Sequence, residues 1–305
     1  MADTVTTTPY FITTHEGDKI RVAVFEAPVS PRGVCVIANG QTEFIEKYAE
    51  VIGELQGRGY TVATFDWPGQ GGSYRLLANP LKAHIENFTQ YDAALAAFMD
   101  QVVKPLTSKP PIALGHSMGG HNLLRAMHDR PNDFARAVLT APMLRTSTRG
   151  IPRWIADSAL FLQNALGQKD EWIWGMDKRD PLTMDFSQQI VTSDTARFQR
   201  TQDFLKAHPD LRLAGPTWGW LKQAYASMAE VNAPGYAQAI VTPVLIVGAG
   251  RDRIVETDAE RTFAARMPHG EFVEFADAEH EILMENDAIR ARFWSAFDRF
   301  TAETT

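Results

Sequence analysis

The chain has 305 residues, of which 45% are hydrophobic and 22% are charged, so it is long and apolar enough to bury a full core. Its net charge of −7 and the lack of a basic cluster argue against a nucleic-acid partner. The sequence shows no signal-peptide pattern, no apolar run near 18 residues and a single cysteine, Cys35. We therefore expect a cytoplasmic protein without an intramolecular disulfide.

The first part of the chain alternates between strand and helix patterns. Two short strands flank Gly17-Asp18, which predicts a hairpin. Continuous apolar runs then predict strands buried on both faces, separated by segments with apolar residues at helical spacing. We expect strands at 10–13, 20–25, 34–38, 60–65, 112–114 and 135–140, and helices at 43–56 and 88–103. This order indicates an α/β fold with a mostly parallel sheet flanked by helices.

The alternation stops between residues 142 and 239. This stretch predicts helices at 152–166, 193–207 and 217–231 and no buried strand. Strands and helices then alternate again, with strands at 244–247 and 271–275 and helices at 256–267 and 285–300. We therefore expect an α/β core made of residues 1–141 and 240–305, interrupted by a helical cap or lid at 142–239.

A nucleophile motif follows the strand at 112–114. Residues 115–119 read Gly-His-Ser-Met-Gly and precede a helical pattern. This is the G-x-S-x-G elbow in the strand-turn-helix setting that it requires. A serine on such a turn projects its oxygen above the edge of the sheet. Ser117 is therefore the predicted nucleophile.

A serine nucleophile needs a base, and the base needs an acid that orients it. Asp252 and His280 each follow a predicted strand, and the carboxyl ends of parallel strands are where catalytic groups gather. We favour His280 as the base over His269, which precedes its strand and so lies at the opposite edge. We favour Asp252 as the acid over two other aspartates. Asp258 falls inside a predicted helix, and Asp277 is close to His280 in sequence.

Taken together, the motifs resemble the α/β-hydrolase superfamily, and within it the lysophospholipase and monoacylglycerol lipase group. The likeness covers residues 10 to 300. The motifs that carry it are Gly-His-Ser-Met-Gly-Gly at 115–120, Asp-Trp-Pro-Gly-Gln-Gly-Gly-Ser at 66–73, Gly-Arg-Asp at 250–252, Glu-His at 279–280, Asn-Gly-Gln-Thr-Glu-Phe-Ile-Glu-Lys-Tyr at 39–48, and Gly-Pro-Thr-Trp-Gly-Trp-Leu at 215–221.

The resemblance also implies an oxyanion hole, built from the backbone N–H groups of Gln41 and Met118. Two such donors would stabilise the negative oxygen of a tetrahedral intermediate. The chain departs from many relatives at this loop, because it has Asn39-Gly40 where they have His-Gly. An asparagine can hold the turn through its own hydrogen bonds, so we expect the hole to be retained.

Other polar motifs have structural interpretations. We expect Asp66 to shape the loop around Gly69 and Gly71, and His116 and His121 to pack beside the serine. His121 and His128 are seven residues apart, too far for shared metal ligation, so we predict no metal site. No helix follows the glycine-rich 69–72 segment in the dinucleotide-binding manner, so we predict no cofactor.

Five of the seven tryptophans lie in the 142–239 segment, which suggests a lid with an apolar inner face. We expect three of them to contact substrate: Trp154, Trp218 and Trp220. A lid of this kind also suggests transient contact with a lipid surface. The sequence carries no signal for the oligomeric state.

The function predicted from the sequence is a serine hydrolase that cleaves the carboxylic ester of a single-chain acyl lipid. The substrate would be a lysophospholipid or a monoacylglycerol, and Ser117 would carry the acyl group. An aminopeptidase, a general carboxylesterase or an acyltransferase could use the same scaffold. A hydrolase-fold protein that binds a ligand with little turnover is the alternative from another class.

Overall fold

The computed structural model describes residues 8–28, 31–148 and 150–302. Residues 1–7, part of the segment in which the sequence shows no signal-peptide pattern, lie outside the described residues. The described part of the chain contains ten strands: β1 Tyr10–Thr13, β2 Lys19–Phe25, β3 Gly33–Ala38, β4 Tyr60–Phe65, β5 Lys82–Ala83, β6 Ile112–His116, β7 Arg136–Thr140, β8 Gly215–Pro216, β9 Val244–Ala249 and β10 Gly270–Phe275.

Eight of these strands form one sheet in the order β1-β2-β4-β3-β6-β7-β9-β10. The hairpin strands β1 and β2 are antiparallel to each other, and β2 is antiparallel to β4. The other six strands of this sheet run parallel to one another: β4, β3, β6, β7, β9 and β10. The carboxyl ends of β3, β6, β9 and β10 therefore meet at one edge of the sheet.

The described residues also form ten α-helices: α1 Ala49–Gly57, α2 Thr89–Phe98, α3 Lys104–Leu106, α4 Met118–Asp129, α5 Arg153–Ala165, α6 Thr195–Ala207, α7 Trp218–Val231, α8 Tyr236–Ala239, α9 Thr257–Ala264 and α10 Asp287–Thr301. Short 3₁₀ turns occur at Ile45–Tyr48, Met176–Lys178, Pro181–Thr183, Phe186–Gln188, Pro209–Leu211 and Ile282–Met284. Within the described ranges, no helix is both long and apolar enough to cross a bilayer.

Helices cover both faces of the sheet, which explains its continuous apolar strands. In β3, Val36 and Ala38 point into the core beneath α2, α4 and α9, whereas Cys35 and Ile37 point into the core beneath α1 and α10. This strand thus supplies side chains to two hydrophobic clusters. The predicted α/β-hydrolase fold is confirmed, with a mostly parallel sheet flanked by helices.

Two predicted helices differ in detail. The helix predicted at 43–56 starts as a 3₁₀ turn and becomes α-helical only at Ala49, because Phe44 is extended and stacks on Phe204 with ring centroids 5.5 Å apart. The helix predicted at 88–103 passes into a π-helical turn at Met99–Val103. This turn comes just before Pro105, which has no N–H to donate.

The segment between β7 and β9 is mainly helical, and we call residues 142–239 the insertion. The sequence predicts no buried strand here, but the structure contains the two-residue strand β8, which pairs in parallel with β5. A second attachment is ionic. The guanidinium of Arg197 on α6 contacts Glu50 of α1 at 2.6 Å and Asp287 of α10 at 2.7 Å. The insertion therefore contacts the core at two places, through the β5–β8 pairing and through the ion pairs of Arg197.

Candidate active site

Ser117 lies between the end of β6 and the start of α4 in a strained conformation. Its φ and ψ angles are 50° and −116°, values that few non-glycine residues adopt and that cost about 1–3 kcal/mol. Its N–H donates to the carbonyl of Thr140, and its carbonyl accepts from the N–H groups of His121 and Met143, each at 3.0 Å. These three backbone hydrogen bonds hold the serine in place on the turn.

The elbow also depends on a glycine at 119. A Cβ atom there would lie 2.1 Å from the carbonyl oxygen of Ala38 and 2.4 Å from that of Asn39. The start of α4 therefore packs directly against the backbone that follows β3. This contact brings the N-terminus of α4 to the loop of residues 39–41.

The structure brings Ser117, His280 and Asp252 together from three different strand ends. Nε2 of His280 lies 3.0 Å from Oγ of Ser117, and Nδ1 of His280 lies 2.6 Å from Oδ2 of Asp252. The other carboxylate oxygen of Asp252 accepts from the N–H groups of Ile254 and Val255. All three side chains are largely shielded from solvent. This arrangement is the geometry of a Ser-His-Asp triad, in which the histidine can take the serine proton and the aspartate orients the imidazole.

Charges around His280 favour its protonated form. Burial by itself would lower the pKa of His280, but the Asp252 carboxylate outweighs burial and the pKa is raised. Burial likewise opposes ionisation of Asp252, yet His280 and two backbone N–H groups leave its pKa lowered. Burial reduces the pKa of His116, which lies 4.8 Å from His280 between ring centroids, to about 4. The site therefore favours the protonated form of His280 and the neutral form of His116.

The loop of residues 39–41 is held by side chains on three sides. The Asn39 amide donates to the carbonyl of Phe65 at 3.1 Å, and the Trp67 indole donates to the carbonyl of Asn39 at 2.8 Å. The amide of Gln70 donates to the carbonyl of Gly40 at 2.7 Å. The asparagine that distinguishes this chain from many relatives thus anchors the loop.

The two predicted oxyanion donors lie on this loop and on α4. Among the described residues, the backbone N–H groups of Gln41 and Met118 have no hydrogen-bond acceptor. By contrast, the N–H of Gly40, the residue before Gln41, donates to the carboxylate of Glu43. The arrangement leaves the two N–H groups free to bind a developing oxyanion.

A buried ionic network that sequence reasoning missed supports this loop. Glu43 accepts from the hydroxyl of Tyr48 at 2.6 Å and from the ammonium of Lys47 at 2.8 Å. Lys47 also contacts Glu281, the residue after His280, at 2.7 Å. Burial would raise the pKa of Glu43, but Lys47 and the other donors lower it to about 2. The network connects the oxyanion loop to the backbone beside the histidine.

The alternative candidates for the base and the acid lie outside this arrangement. His269 is exposed ahead of β10, and its carbonyl accepts from the N–H of Val244 at the start of β9, the opposite edge of the sheet. Asp258 is almost fully exposed on α9, and Asp277 pairs with Arg292. Asp66 is structural as expected, because its carboxylate accepts from the N–H groups of Ile45 and Gly72.

The three predicted tryptophan contacts do not share one surface. Trp154 on α5 is 70% exposed, whereas Trp218 and Trp220 on α7 are each 4% exposed. The Trp220 indole donates to the hydroxyl of Tyr91 at 2.9 Å within the main core, so this side chain has a packing role. Trp218 packs edge-on against Trp174. A substrate contact for any of the three stays a prediction.

Neither histidine of α4 that the sequence singled out is placed for metal binding. His121 contacts the hydroxyl of Ser227 at 2.7 Å, and His128 stacks on Tyr236. The glycine-rich 69–72 segment forms a turn against Asp66, and no helix follows it directly. Within the described residues, one group of three metal-ligating side chains does form, away from Ser117: His84, Glu86 and Asp170.

Comparison with known proteins identifies the family. The profile described as serine aminopeptidase, S33, matches residues 29–287. The chain belongs to this family. It is an α/β-hydrolase of the esterase and lipase type, and at the level of the family the activity is hydrolysis of lipid esters.

Individual relatives agree with that assignment. The chain is 32% identical over 280 residues to lysophospholipase L2 of Escherichia coli K12, covering 89% of this chain and 81% of the relative. It is 23% identical over 255 residues to monoacylglycerol lipase of Mycolicibacterium smegmatis, covering 82% and 81%. A crystal structure of monoglyceride lipase from Saccharomyces cerevisiae shares the fold, with a TM-score of 0.79, 19% identity and coverage of 99% of this chain and 98% of that one.

Proposed function

We propose that the protein hydrolyses the carboxylic ester of a single-chain acyl lipid, a lysophospholipid or a monoacylglycerol, through an acyl-enzyme on Ser117. The observation that carries the proposal is the contact of Ser117 with His280 at 3.0 Å and of His280 with Asp252 at 2.6 Å. The named activities of the lysophospholipase and monoacylglycerol lipase relatives support the choice of substrate class.

In the first step, Oγ of Ser117 attacks the ester carbonyl while Nε2 of His280 takes the hydroxyl proton. Asp252 holds the imidazole through Nδ1 and stabilises its positive charge. The N–H groups of Gln41 and Met118 donate to the oxyanion, and loss of one such donor typically costs about 3 kcal/mol. His280 then returns the proton to the departing alcohol. Water, activated by the same histidine, releases the fatty acid and restores Ser117.

The insertion has features that suit an acyl chain. Helices α5 and α7 line an open-sided cavity of about 530 Å³ whose walls include Leu160, Phe161 and Tyr225. Tyr225 packs against the core cluster that contains Met118, the residue after the nucleophile. We infer that residues 142–239 act as a cap on the core formed by 1–141 and 240–305, and that this cavity accepts the chain. Each buried methylene would contribute about 0.8 kcal/mol.

The outer side of the insertion has features that suit a lipid surface. Trp154 and Leu166, which lie outside the cavity lining, are 70% and 61% exposed. Such apolar side chains on one helix and its end are typical of surfaces that dock onto membranes or partners. We infer that α5 rests transiently on the aggregate from which the substrate is drawn.

Peptide cleavage is the second candidate, favoured by the description of the matching family as serine aminopeptidase. A free amine would need a carboxylate partner near the serine. Asp157 lines the cavity between α5 and α7, but Lys222 lines it too and carries the opposite charge. With one charge of each sign, the lining carries no net charge to hold a free amine, which favours an uncharged acyl chain.

A turnover panel separates the two candidates. Nitrophenyl esters of two to twelve carbons are compared with an aminoacyl naphthylamide on the same enzyme. We expect medium or long esters to exceed the acetate in kcat/KM by at least about tenfold, or about 1.4 kcal/mol. We expect little turnover of the amide. A clear preference for the aminoacyl amide would make the protein a peptidase.

A variant that fills the cavity tests whether the cavity holds the acyl chain. Ala165 lines the cavity and is exposed, so Ala165→Trp should fill the space without disturbing the core. We expect the chain-length optimum to move to shorter esters while acetate turnover is unchanged. Ser158→Trp, on the exposed side of the same helix and outside the cavity lining, is the matched control. An equal shift in both variants would place the acyl site elsewhere.

A further inference from the structure

A buried histidine with an unpaired nitrogen lies where the insertion meets the core. His84 directly follows β5 and is only 2% exposed. Its Nε2 atom has no hydrogen-bond partner and faces Oε1 of Glu86 at 3.6 Å and Oδ1 of Asp170 at 3.5 Å. Oδ1 of Asp170 is likewise buried without a hydrogen bond. Three potential ligand atoms thus lie within 4.8 Å of one another.

Neither tautomer of His84 satisfies this nitrogen. Nδ1 lies 2.7 Å from the hydroxyl of Thr217, which also accepts from the N–H of Trp220. If the hydroxyl donates to Nδ1, the Nε2–H points at carboxylate oxygens beyond the usual 2.7–3.2 Å range for such bonds. If Nδ1 donates to the hydroxyl, the Nε2 lone pair faces two carboxylates. An unpaired buried polar atom costs about 1–3 kcal/mol.

The second tautomer is the one that metal-ligating histidines use, since they donate their other N–H to an oxygen that fixes the ring. Zn²⁺ binds imidazole and carboxylate at about 2.0–2.2 Å, and tetrahedral ligand atoms are then about 3.4 Å apart. The two separations from Nε2, 3.5 and 3.6 Å, are close to this spacing, and the two carboxylate oxygens lie within 4.8 Å of each other, so a small side-chain rotation would complete the site. We propose that His84, Glu86 and Asp170 bind a divalent transition-metal ion, Zn²⁺ by its coordination preference, at the junction of core and insertion.

Local packing keeps the histidine in place. A Cβ atom on Gly219, near the start of α7, would lie 2.8 Å from Cε1 of His84 and 2.8 Å from the carbonyl oxygen of Lys169. The residue at 219 therefore has to be small for the ring to reach this position.

The ligands come from two parts of the chain. His84 and Glu86 belong to the segment after β5, and Asp170 belongs to the loop after α5 in the insertion. A bound ion would therefore join the insertion to the core, next to the β5–β8 pairing. The carboxylates of Glu86 and Asp170 are about half exposed, so water can complete the coordination. Ca²⁺ and Mg²⁺ prefer all-oxygen sites and should bind poorly.

Lys169 competes with the ion. Its ammonium contacts both carboxylate oxygens of Glu86 at 3.0 Å, and the lysine is half exposed. The metal must displace this side chain from Glu86. The competition gives a variant with the opposite expected effect, because Lys169→Gln frees the carboxylate and should strengthen metal binding.

The test is equilibrium dialysis of untagged, full-length protein with Zn²⁺, followed by metal quantification and competition against a chromophoric chelator. We expect one Zn²⁺ per chain, an affinity at least about tenfold weaker in Asp170→Asn and in Glu86→Gln, and a tighter affinity in Lys169→Gln. Asp129→Asn is the matched control, since Asp129 also contacts a histidine, His128, at 2.7 Å, but on the surface without a third ligand.

Thermal unfolding gives a second readout. Zn²⁺ should raise the Tm of the wild type and leave that of Asp170→Asn unchanged, because an ion that binds only the folded state stabilises it. The proposal is overturned if the protein retains no Zn²⁺, if Asp170→Asn binds as tightly as the wild type, or if Asp129→Asn loses binding to the same degree. None of these measurements depends on ester turnover.

Discussion

The sheet and the insertion use their apolar residues in different ways. Every residue of β9 is buried, and so is every residue of β4. Helix α5 of the insertion buries only Leu160, while Trp154 and Phe161 are 70% and 76% exposed. The apolar surface of the core stabilises the fold, at about 1.5–3 kcal/mol per large side chain. The comparable surface of α5 remains available for binding.

Their polar groups differ as well. At the core edge, the buried Asp66 has backbone N–H partners, and each nitrogen of His280 has a partner. At the boundary with the insertion, Nε2 of His84 and Oδ1 of Asp170 have none. The reacting groups at the sheet edge are therefore fixed by their partners, whereas these two atoms at the boundary are left to meet a ligand. The predictions below test that division.

The largest effect is expected from the base and the acid. His280→Ala and Asp252→Ala should each reduce kcat by roughly 10⁴-fold or more, while circular dichroism shows a retained fold. Because the members act as a unit, the double variant should be little worse than either single one. His269→Ala is the control. If it inactivates the enzyme and His280→Ala does not, the base is misassigned.

A smaller effect is expected from the network behind the oxyanion loop. Glu43→Gln keeps the size of the side chain but removes the charge that pairs with Lys47 and accepts from Gly40. We expect kcat to fall by about tenfold to hundredfold with little change in KM, because the oxyanion donors are misplaced in the transition state. Exposed Glu16→Gln serves as the control. A change confined to Tm would give Glu43 a purely structural role.

The insertion should matter for lipid surfaces and not for the chemistry. Leu166→Ser, at the end of α5 and outside the cavity lining, should weaken binding to lipid vesicles by about tenfold, the loss expected from removing one exposed apolar side chain. Turnover of a water-soluble ester should stay unchanged. Leu106→Ser, at another exposed leucine, on α3, is the matched control. Equal weakening in both variants, or none in Leu166→Ser, would contradict the assignment of α5 to the lipid surface.

The smallest effect concerns pH. The pKa of His280 is raised, so its imidazolium loses its proton only above about pH 6.5, the ordinary pKa of a histidine. Only the neutral form accepts the serine proton, so kcat/KM should rise with pH and reach half its maximum above about pH 6.5. The measurement is kcat/KM from pH 5 to 9 with a neutral ester. A flat profile, or a midpoint well below pH 6.5, would count against a histidine base beside a carboxylate.

Strand ends could be predicted from the sequence because local signals mark them. The apolar run before Ser117 and the strands before Asp252 and His280 each stop where a polar residue begins, and parallel strands bring such ends together. The predicted elements agree with the structure to within a few residues, and the predicted hairpin at Gly17-Asp18 is present.

The sequence holds no local signal for contacts between residues that are far apart in the chain. His84 and Asp170 are far apart in the chain, and nothing in either neighbourhood indicates that β5 and β8 pair. Glu43 and Lys47 have the i, i+4 spacing of a helical ion pair, but their burial depends on Glu281. The exposure of Trp154 and the burial of Trp220 likewise depend on which faces of α5 and α7 meet the core.

The nucleophile is tested most directly by labelling with a fluorophosphonate probe, followed by peptide mapping. The strained backbone of Ser117 and its contact with His280 predict a single labelled site, in the peptide that contains Ser117. Ser117→Ala should lose both labelling and ester turnover while its Tm stays near that of the wild type. Labelling or turnover that survives the substitution, or a label mapped to another residue, would contradict the central claim that Ser117 is the nucleophile.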